Sequence, residues 1–252
     1  MDTRYWSRAI GSFVRNLRHK AFLVDILSAG LKADSAPKAE AVDILKVYPK
    51  AKREFVPMGD VRFRIYNMDP MEQYCLAALA LLRRPKKIFE FGTFDGATSL
   101  LLSRVVPDAQ IYTLDLPPDM VTAADDHLKR ALEAVDGEGS RFRDTPESAR
   151  ITQLYGDSRE FDFSPYFHQM DLVIVDGGHQ AECVFPDTEN ALAMVAPGGI
   201  VVWDDYTTNW PSVVAAVDGA AERYGLSVVR LNSTDFAVYD STGATASIAA
   251  LR

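Results

Sequence analysis

From Pro70 onward the chain alternates two patterns. Short apolar runs closed by Gly or Asp are followed by longer stretches in which apolar residues recur every three or four positions. The first pattern reads as buried strand and the second as amphipathic helix. Helices are predicted over "MEQYCLAALALLRR", "ATSLLLSRVV", "TAADDHLKRALEAV", "CVFPDTENALAMVA" and "SVVAAVDGAAERYG". Pro186 is expected in or before the first turn of the fourth of these. Strands are predicted over "KKIFEFG", "AQIYTLDL", "ITQLYGD", "MDLVIVDGGH", "GGIVVWDDY", "LSVVRL" and "DFAVYD". Strand–helix alternation implies an α/β domain, Rossmann-like and doubly wound, with helices on both faces of a mostly parallel seven-stranded sheet. Only "NST" and its flanks join the last two strands, too short for a helical crossover, so the last strand is expected to be antiparallel.

Residues 1–69 break this rhythm, and the chain divides into an N-terminal helical and irregular extension (1–69) and the α/β domain (70–252). Residues 3–31 read as helix, with Trp6, Ile10, Phe13, Val14 and Leu17 forming an apolar stripe. That stripe is expected to pack on the main domain or to make a homodimer contact, with a lid or a membrane-surface helix as the alternatives. "KADSAPKAEA" reads as a polar connector, and 54–70 as an irregular segment near the functional site.

The formal net charge of −8 argues against an extended phosphate-binding surface, so nucleic acid is not an expected partner. The two cysteines, Cys75 and Cys183, form no paired motif, which fits a reducing, cytoplasmic compartment. No apolar stretch is long enough to span a bilayer, and basic residues interrupt the N-terminus before any leader-like run.

The chemistry is concentrated where the strands end. In an open parallel sheet, ligands bind at the carboxyl ends of the strands. There the sequence places Glu90, Gly92 and Gly96, then Asp115, then Gly156 and Asp157, then Asp176 and His179, then Asp204 and Asp205. A buried carboxylate is costly unless something pairs with it, so acids on one rim point to a shared cleft with a polar or cationic occupant. The turn "EFGTFDGATS" is Gly-rich but lacks the full GxGxxG spacing of dinucleotide folds. Its acids disfavour a phosphate, and Asp115 is placed to accept hydrogen bonds from ribose hydroxyls.

Glu90-x-Gly92-x-x-x-Gly96, Asp115 and "YGDS" together resemble the class I S-adenosylmethionine-dependent methyltransferases over roughly residues 70–240. Phe94 stands where the family's loop has a middle glycine. "VDGGH…D…PGGIVVWDDY" resembles the small-molecule O-methyltransferase branch, macrocin-type and, more distantly, catechol-type. The resemblance implies S-adenosylmethionine as cofactor. It implies a binding set of Glu90, Gly92, Thr93, Phe94, Asp95, Gly96, Ser99, Asp115, Leu116, Asp157, Ser158 and Asp176. The 92–96 loop would meet the methionine part, Asp115 the ribose, and Asp157 and Ser158 the adenine. It further implies a Mg²⁺ ion on Asp176, Asp204 and Asp205, which lie 28 and 29 residues apart. His179, where catechol-type enzymes carry a lysine, would act with Asp176 as the catalytic pair. The expected reaction is methyl transfer to a hydroxyl of a small molecule such as a sugar, phenol or secondary metabolite. A metal-independent methyltransferase acting on N or C and a nicotinamide-dependent oxidoreductase are the alternatives.

Each assignment has a structural rival. Asp204 and Asp205 could cap a helix, Asp95 could be an N-cap, and Glu90 could fix the loop. Tyr206 and Trp210 could line a substrate pocket or simply pack.

Overall fold

The computed structural model describes residues 36–50, 67–117, 120 and 137–243. The helices predicted over 3–31 and 122–135 fall outside the described residues, as does most of the irregular 54–70 segment. Eight strands form one sheet: β1 (Glu40–Val42), β2 (Lys87–Phe91), β3 (Gln110–Asp115), β4 (Ile151–Tyr155), β5 (Met170–Val175), β6 (Val195–Trp203), β7 (Val228–Leu231) and β8 (Ala237–Asp240). Their order is β1-β7-β8-β6-β5-β2-β3-β4. β8 runs antiparallel to both β6 and β7, and every other pairing is parallel. The expected mostly parallel sheet with an antiparallel last strand is therefore present, with one strand more than the seven read from the sequence. The extra strand straddles the end of the polar stretch expected to be a connector, where Glu40–Val42 pairs with Val229–Leu231 at the sheet edge.

The helices among the described residues are α1 (Ile44–Val47), α2 (Pro70–Arg83), α3 (Ala97–Val105), α4 (Ser140–Arg143), α5 (Ala181–Met194) and α6 (Pro211–Tyr224). α2 starts on a capping box: Asp69 Oδ1 accepts from the Met71 and Glu72 amides, and Glu72 reaches back to the Asp69 amide. Pro186 lies inside α5 rather than in or before its first turn. α5 begins at Ala181, two residues earlier than the apolar pattern suggested.

Successive strand residues point to opposite faces, and two cores follow from that. Ile88, Leu172, Ile174, Ile200 and Val202 join residues of α2 and α3 on one face. Phe89, Phe91, Val173, Val175, Val201 and Trp203 join α5 and α6 on the other. Apolar side chains on both faces explain why the central strands read as unbroken apolar runs.

The register fixes the site. Leu114 pairs with Phe91, Phe91 with Val175, and Val175 with Trp203, forming one row across four strands. Residues just past that row emerge side by side at the carboxyl rim. β2 sits between β3 and β5, so the chain leaves it in opposite directions on its two sides. This is the topological switch point, where a crevice opens.

Candidate functional site

The rim is stitched by backbone hydrogen bonds that continue the ladder one residue past the strands. The amide of Gly92 donates to Leu114 O, Asp176 to Phe91 O and Asp204 to Val175 O, at 2.8–3.0 Å. Gly92 is required at its position: a Cβ there would lie 2.0 Å from Asp176 O, and its φ is +88°. The loop continues through Phe94, whose φ of +47° is the left-handed conformation a glycine would favour. The side chain standing in for the family's middle glycine thus keeps a glycine-like backbone.

Asp115 holds this loop from the next strand. Its Oδ2 accepts from the Thr93 and Phe94 amides, both at 2.9 Å, and its Oδ1 from the Leu116 amide at 2.8 Å. Oδ2 is thereby saturated, Oδ1 retains one acceptor site, and Asp115 lines the cleft. Glu90 is buried behind the loop. Its Oε2 accepts from Ser99 Oγ at 2.6 Å and Thr113 Oγ1 at 2.7 Å. Burial, then the charges of Asp115 and Asp95, push its carboxyl up to about 7 against those two hydrogen bonds. Ser99, expected to bind cofactor, is fully buried and turned to Glu90, and is not among the cleft-lining residues. Asp95 is also buried. It accepts from the Ala97 amide, from Asn67 Nδ2, and from Arg141 Nε at 2.6 Å. Its cap-like bond to the helix start is therefore present beside an ion pair that the sequence did not suggest.

The cleft encloses about 680 Å³, within the range of roughly 300–1,000 Å³ usual for small-molecule sites. Of the expected site residues, Glu90, Gly92, Thr93, Phe94, Asp95, Asp115, Leu116, Asp157, Ser158, Asp176, His179, Asp204 and Asp205 all line it. Asp157 is paired with Arg159. Burial raises this carboxyl, but the hydrogen bonds and charge of Arg159 outweigh that and leave it below its ordinary value.

The acids after the fifth and sixth strands raise one another's carboxyls. Burial, then the charges of Asp204 and Asp205, hold Asp176 well above its ordinary range. Burial, then Glu72 and Asp205, do the same to Asp204, although its Oδ1 accepts from the Asp205 amide. Glu72 comes from α2. It lines the cleft, accepts from the Asp235 amide at 2.9 Å, and is itself raised by burial.

Asp205 departs from the expected arrangement. Its carboxylate is paired with His179 Nε2, and its backbone takes a left-handed φ of +58°. The His179 ring stacks on Trp210 with centroids 4.0 Å apart and an 18° interplanar angle. Among the described residues, no group of three or more His, Cys, Asp or Glu side chains converges so as to hold a metal ion. Asp176 and Asp204 line the cleft as hard oxygen donors whose charges oppose each other, while Asp205 is paired with His179. Trp210 lines the cleft, as one of its two readings had it. Tyr206 does not: it is fully buried, accepting from the Ala39 amide and donating to Asp218.

Asp187, the lone D written between the two halves of the motif "VDGGH…D…PGGIVVWDDY", is given no role by the sequence. It is 2% exposed on α5, lines the cleft, and is pushed up to about 7 by burial. The available signal was its place in the helical stripe Val184, Asp187, Thr188, Ala191, where an acid replaces an apolar residue.

Residues 89–206 match a family described as a methyltransferase domain. Among curated proteins, none matches the chain. Solved structures share the fold. One assigned as a caffeoyl-CoA O-methyltransferase from Staphylococcus aureus is 15% identical, with a TM-score of 0.50 over 76% of this chain and 90% of that one. The S-adenosylhomocysteine-bound methyltransferase PaMTH1 from Podospora anserina is 16% identical, with a TM-score of 0.48 over 80% and 89%. The O-methyltransferase TomG from Streptomyces achromogenes, involved in tomaymycin synthesis and solved with S-adenosylmethionine, is 20% identical, with a TM-score of 0.47 over 86% and 94%.

Proposed function

We propose, from the match of residues 89–206 to a methyltransferase domain family, that the protein is a class I S-adenosylmethionine-dependent methyltransferase that methylates a hydroxyl oxygen of a small molecule. The observation that carries the oxygen-directed reading is the His179–Asp205 pair, set in the same cleft as Gly92–Asp95. A hydroxyl must lose its proton to become a competent nucleophile, and a histidine beside a carboxylate is suited to take it near neutral pH.

The bound cofactor supplies a methyl group already activated on a sulfonium centre. The chain's contribution is binding, alignment and proton removal. The 92–96 loop and Asp115 form the wall where the amino-acid and ribose parts would lie, with Leu116, Asp157 and Ser158 at the nucleoside end. The donor set fits such a group. Asp115 Oδ1 has an acceptor site left for a hydroxyl, and a cationic centre near Asp176 would offset the burial and the neighbouring carboxylates that hold its carboxyl well above its ordinary range. With Nε2 turned to Asp205, the ring nitrogen left for the acceptor's proton is Nδ1. Asp205 and Trp210 hold the ring in that orientation, and Asp205 stabilises the imidazolium that results.

A divalent cation is the second element. Mg²⁺ uses one or two carboxylates and keeps several waters, and Asp176 with Asp204 are the pair that would hold it. Such an ion would lower the pKa of a coordinated hydroxyl. Asp205 would join it only by leaving His179.

Calorimetric titration with S-adenosylhomocysteine, with EDTA present and then with Mg²⁺ added, tests both parts. Binding under both conditions is expected. Added Mg²⁺ should raise the melting temperature of the wild type and leave Asp204→Asn unchanged. Binding of NAD⁺ in place of S-adenosylhomocysteine would sink the methyltransferase reading. An equal Mg²⁺ response in Asp204→Asn would remove the metal site.

A further inference from the structure

The loop after β2 is fixed from two sides. From β3, Asp115 accepts from the Thr93 and Phe94 amides. The carbonyls of Phe94 and Asp95 go instead to the segment around α4. The Gly139 amide donates to Phe94 O at 2.8 Å, and the Arg141 amide to Asp95 O at 2.9 Å. Arg141 Nε also donates to Asp95 Oδ2 at 2.6 Å, and the two side chains are 17% and 1% exposed. Close packing backs these bonds. A Cβ on Gly96 would lie 2.5 Å from the Phe142 ring and 3.0 Å from Gly139 Cα, and one on Gly139 would lie 2.5 Å from Gln153 Oε1. Gln153 Nε2 in turn donates to Thr93 Oγ1 at 3.1 Å. Gly139, Arg141 and Phe142 are not among the cleft-lining residues, so whatever they do for a ligand they do through the loop.

We infer that Gly139 and Arg141 are positioning residues of the cofactor site, a clamp that sets the Thr93–Gly96 turn before the cofactor arrives. This rests on the methyltransferase reading above. The need for a clamp lies at position 94. A left-handed backbone is costly for a residue with a Cβ and persists only where its surroundings over-determine it, and Phe94 stands at a φ of +47°. A loop already held in shape loses little freedom when a ligand binds, so less ordering cost is subtracted from affinity. The buried ion pair is the vulnerable part, because removing its cation leaves the Asp95 charge without this partner.

Amide hydrogen exchange, followed by NMR on the ligand-free wild type, gives the first test. The Gly139 and Arg141 amides should exchange at least about 100-fold more slowly than unstructured amides. Exchange at the unstructured rate until S-adenosylhomocysteine is added would overturn the inference. Calorimetry with S-adenosylhomocysteine on the wild type, Arg141→Met and Arg141→Lys gives the second. Arg141→Met should raise Kd by about tenfold, the scale of one hydrogen bond to a charged group, and speed exchange of the Phe94 amide by a similar factor. Arg141→Lys keeps the charge and should stay within about threefold of wild type. A pair that serves stability alone would lower the melting temperature of Arg141→Met and leave its Kd at the wild-type value. That result would overturn the inference, as would a lysine variant as weak as the methionine one. If Arg141→Met does not fold, the exchange experiment decides alone. A wild type that protects these amides yet binds no S-adenosylhomocysteine would sink the methyltransferase reading and not the clamp, so the two failures are distinguishable.

Discussion

Replacing Glu90 with glutamine should stabilise the protein, and by an amount that depends on pH. Glu90 is 1% exposed, and burial has moved its carboxyl from an ordinary 4.5 to about 7. The folded protein therefore holds this proton more tightly than the unfolded chain does. Stability from the group is fully present below the unfolded value and is lost as pH rises through about 7. Each pH unit between the two values is worth about 1.4 kcal/mol, so by about pH 8 the ionised carboxylate costs about 3 kcal/mol. Glutamine cannot ionise, yet its amide oxygen can still accept from Ser99 and Thr113. Urea unfolding followed by circular dichroism should show Glu90→Gln ahead by about 3 kcal/mol near pH 8, with the gap closing to within about 1 kcal/mol near pH 5. A gap that is constant with pH, or a less stable variant at the higher pH, would refute the reasoning. The first would mean that Glu90 does not titrate in this range. The second would mean that its charge is compensated by a partner.

Three further expectations follow from the site. Gly92→Ala would drive a Cβ into Asp176 O. It should cost about 3 kcal/mol or more and abolish S-adenosylhomocysteine binding; a melting curve and one titration decide it. His179→Ala should leave cofactor affinity within about twofold while lowering methyl transfer by roughly 10²–10⁴, read as kcat on any accepted substrate. Trp210→Ala, which removes the stacking face but not the base, should lower kcat less than His179→Ala; equal losses would mean that the tryptophan serves the acceptor rather than the histidine.

Much of this was legible in the sequence because the sheet converts spacing into proximity. Val175 and Trp203 end their apolar runs in the same register row as Phe91 and Leu114. Acids separated by dozens of residues therefore had to surface together. What was not legible has local causes. Glu40–Val42 is a three-residue strand set among polar residues, too short to show a period. Its pairing comes from the exposed edge of β7, not from its own sequence. Pro186 reads as a helix start because proline is favoured there, yet α5 begins earlier and buries residues on both sides of it. The pairing of Asp205 with His179 depends on a left-handed backbone at Asp205, which no spacing rule announces. Asp187 stands in the quoted motif without a role, because only its place in the stripe Val184, Asp187, Thr188, Ala191 shows that it faces inward.

The strand at the sheet edge also bears on where this protein can be cut. β7 presents one side to β8 and the other to β1. Tyr48, just beyond β1, donates to Asp240 on β8 at 2.7 Å. A chain begun at Pro70, the natural boundary by sequence, would lose that cover and expose the ladder of β7 as an unpaired edge, ready to recruit a strand from another molecule. The N-terminal segment is thus a guard against self-association as much as a connector, and a soluble fragment would have to begin before Glu40.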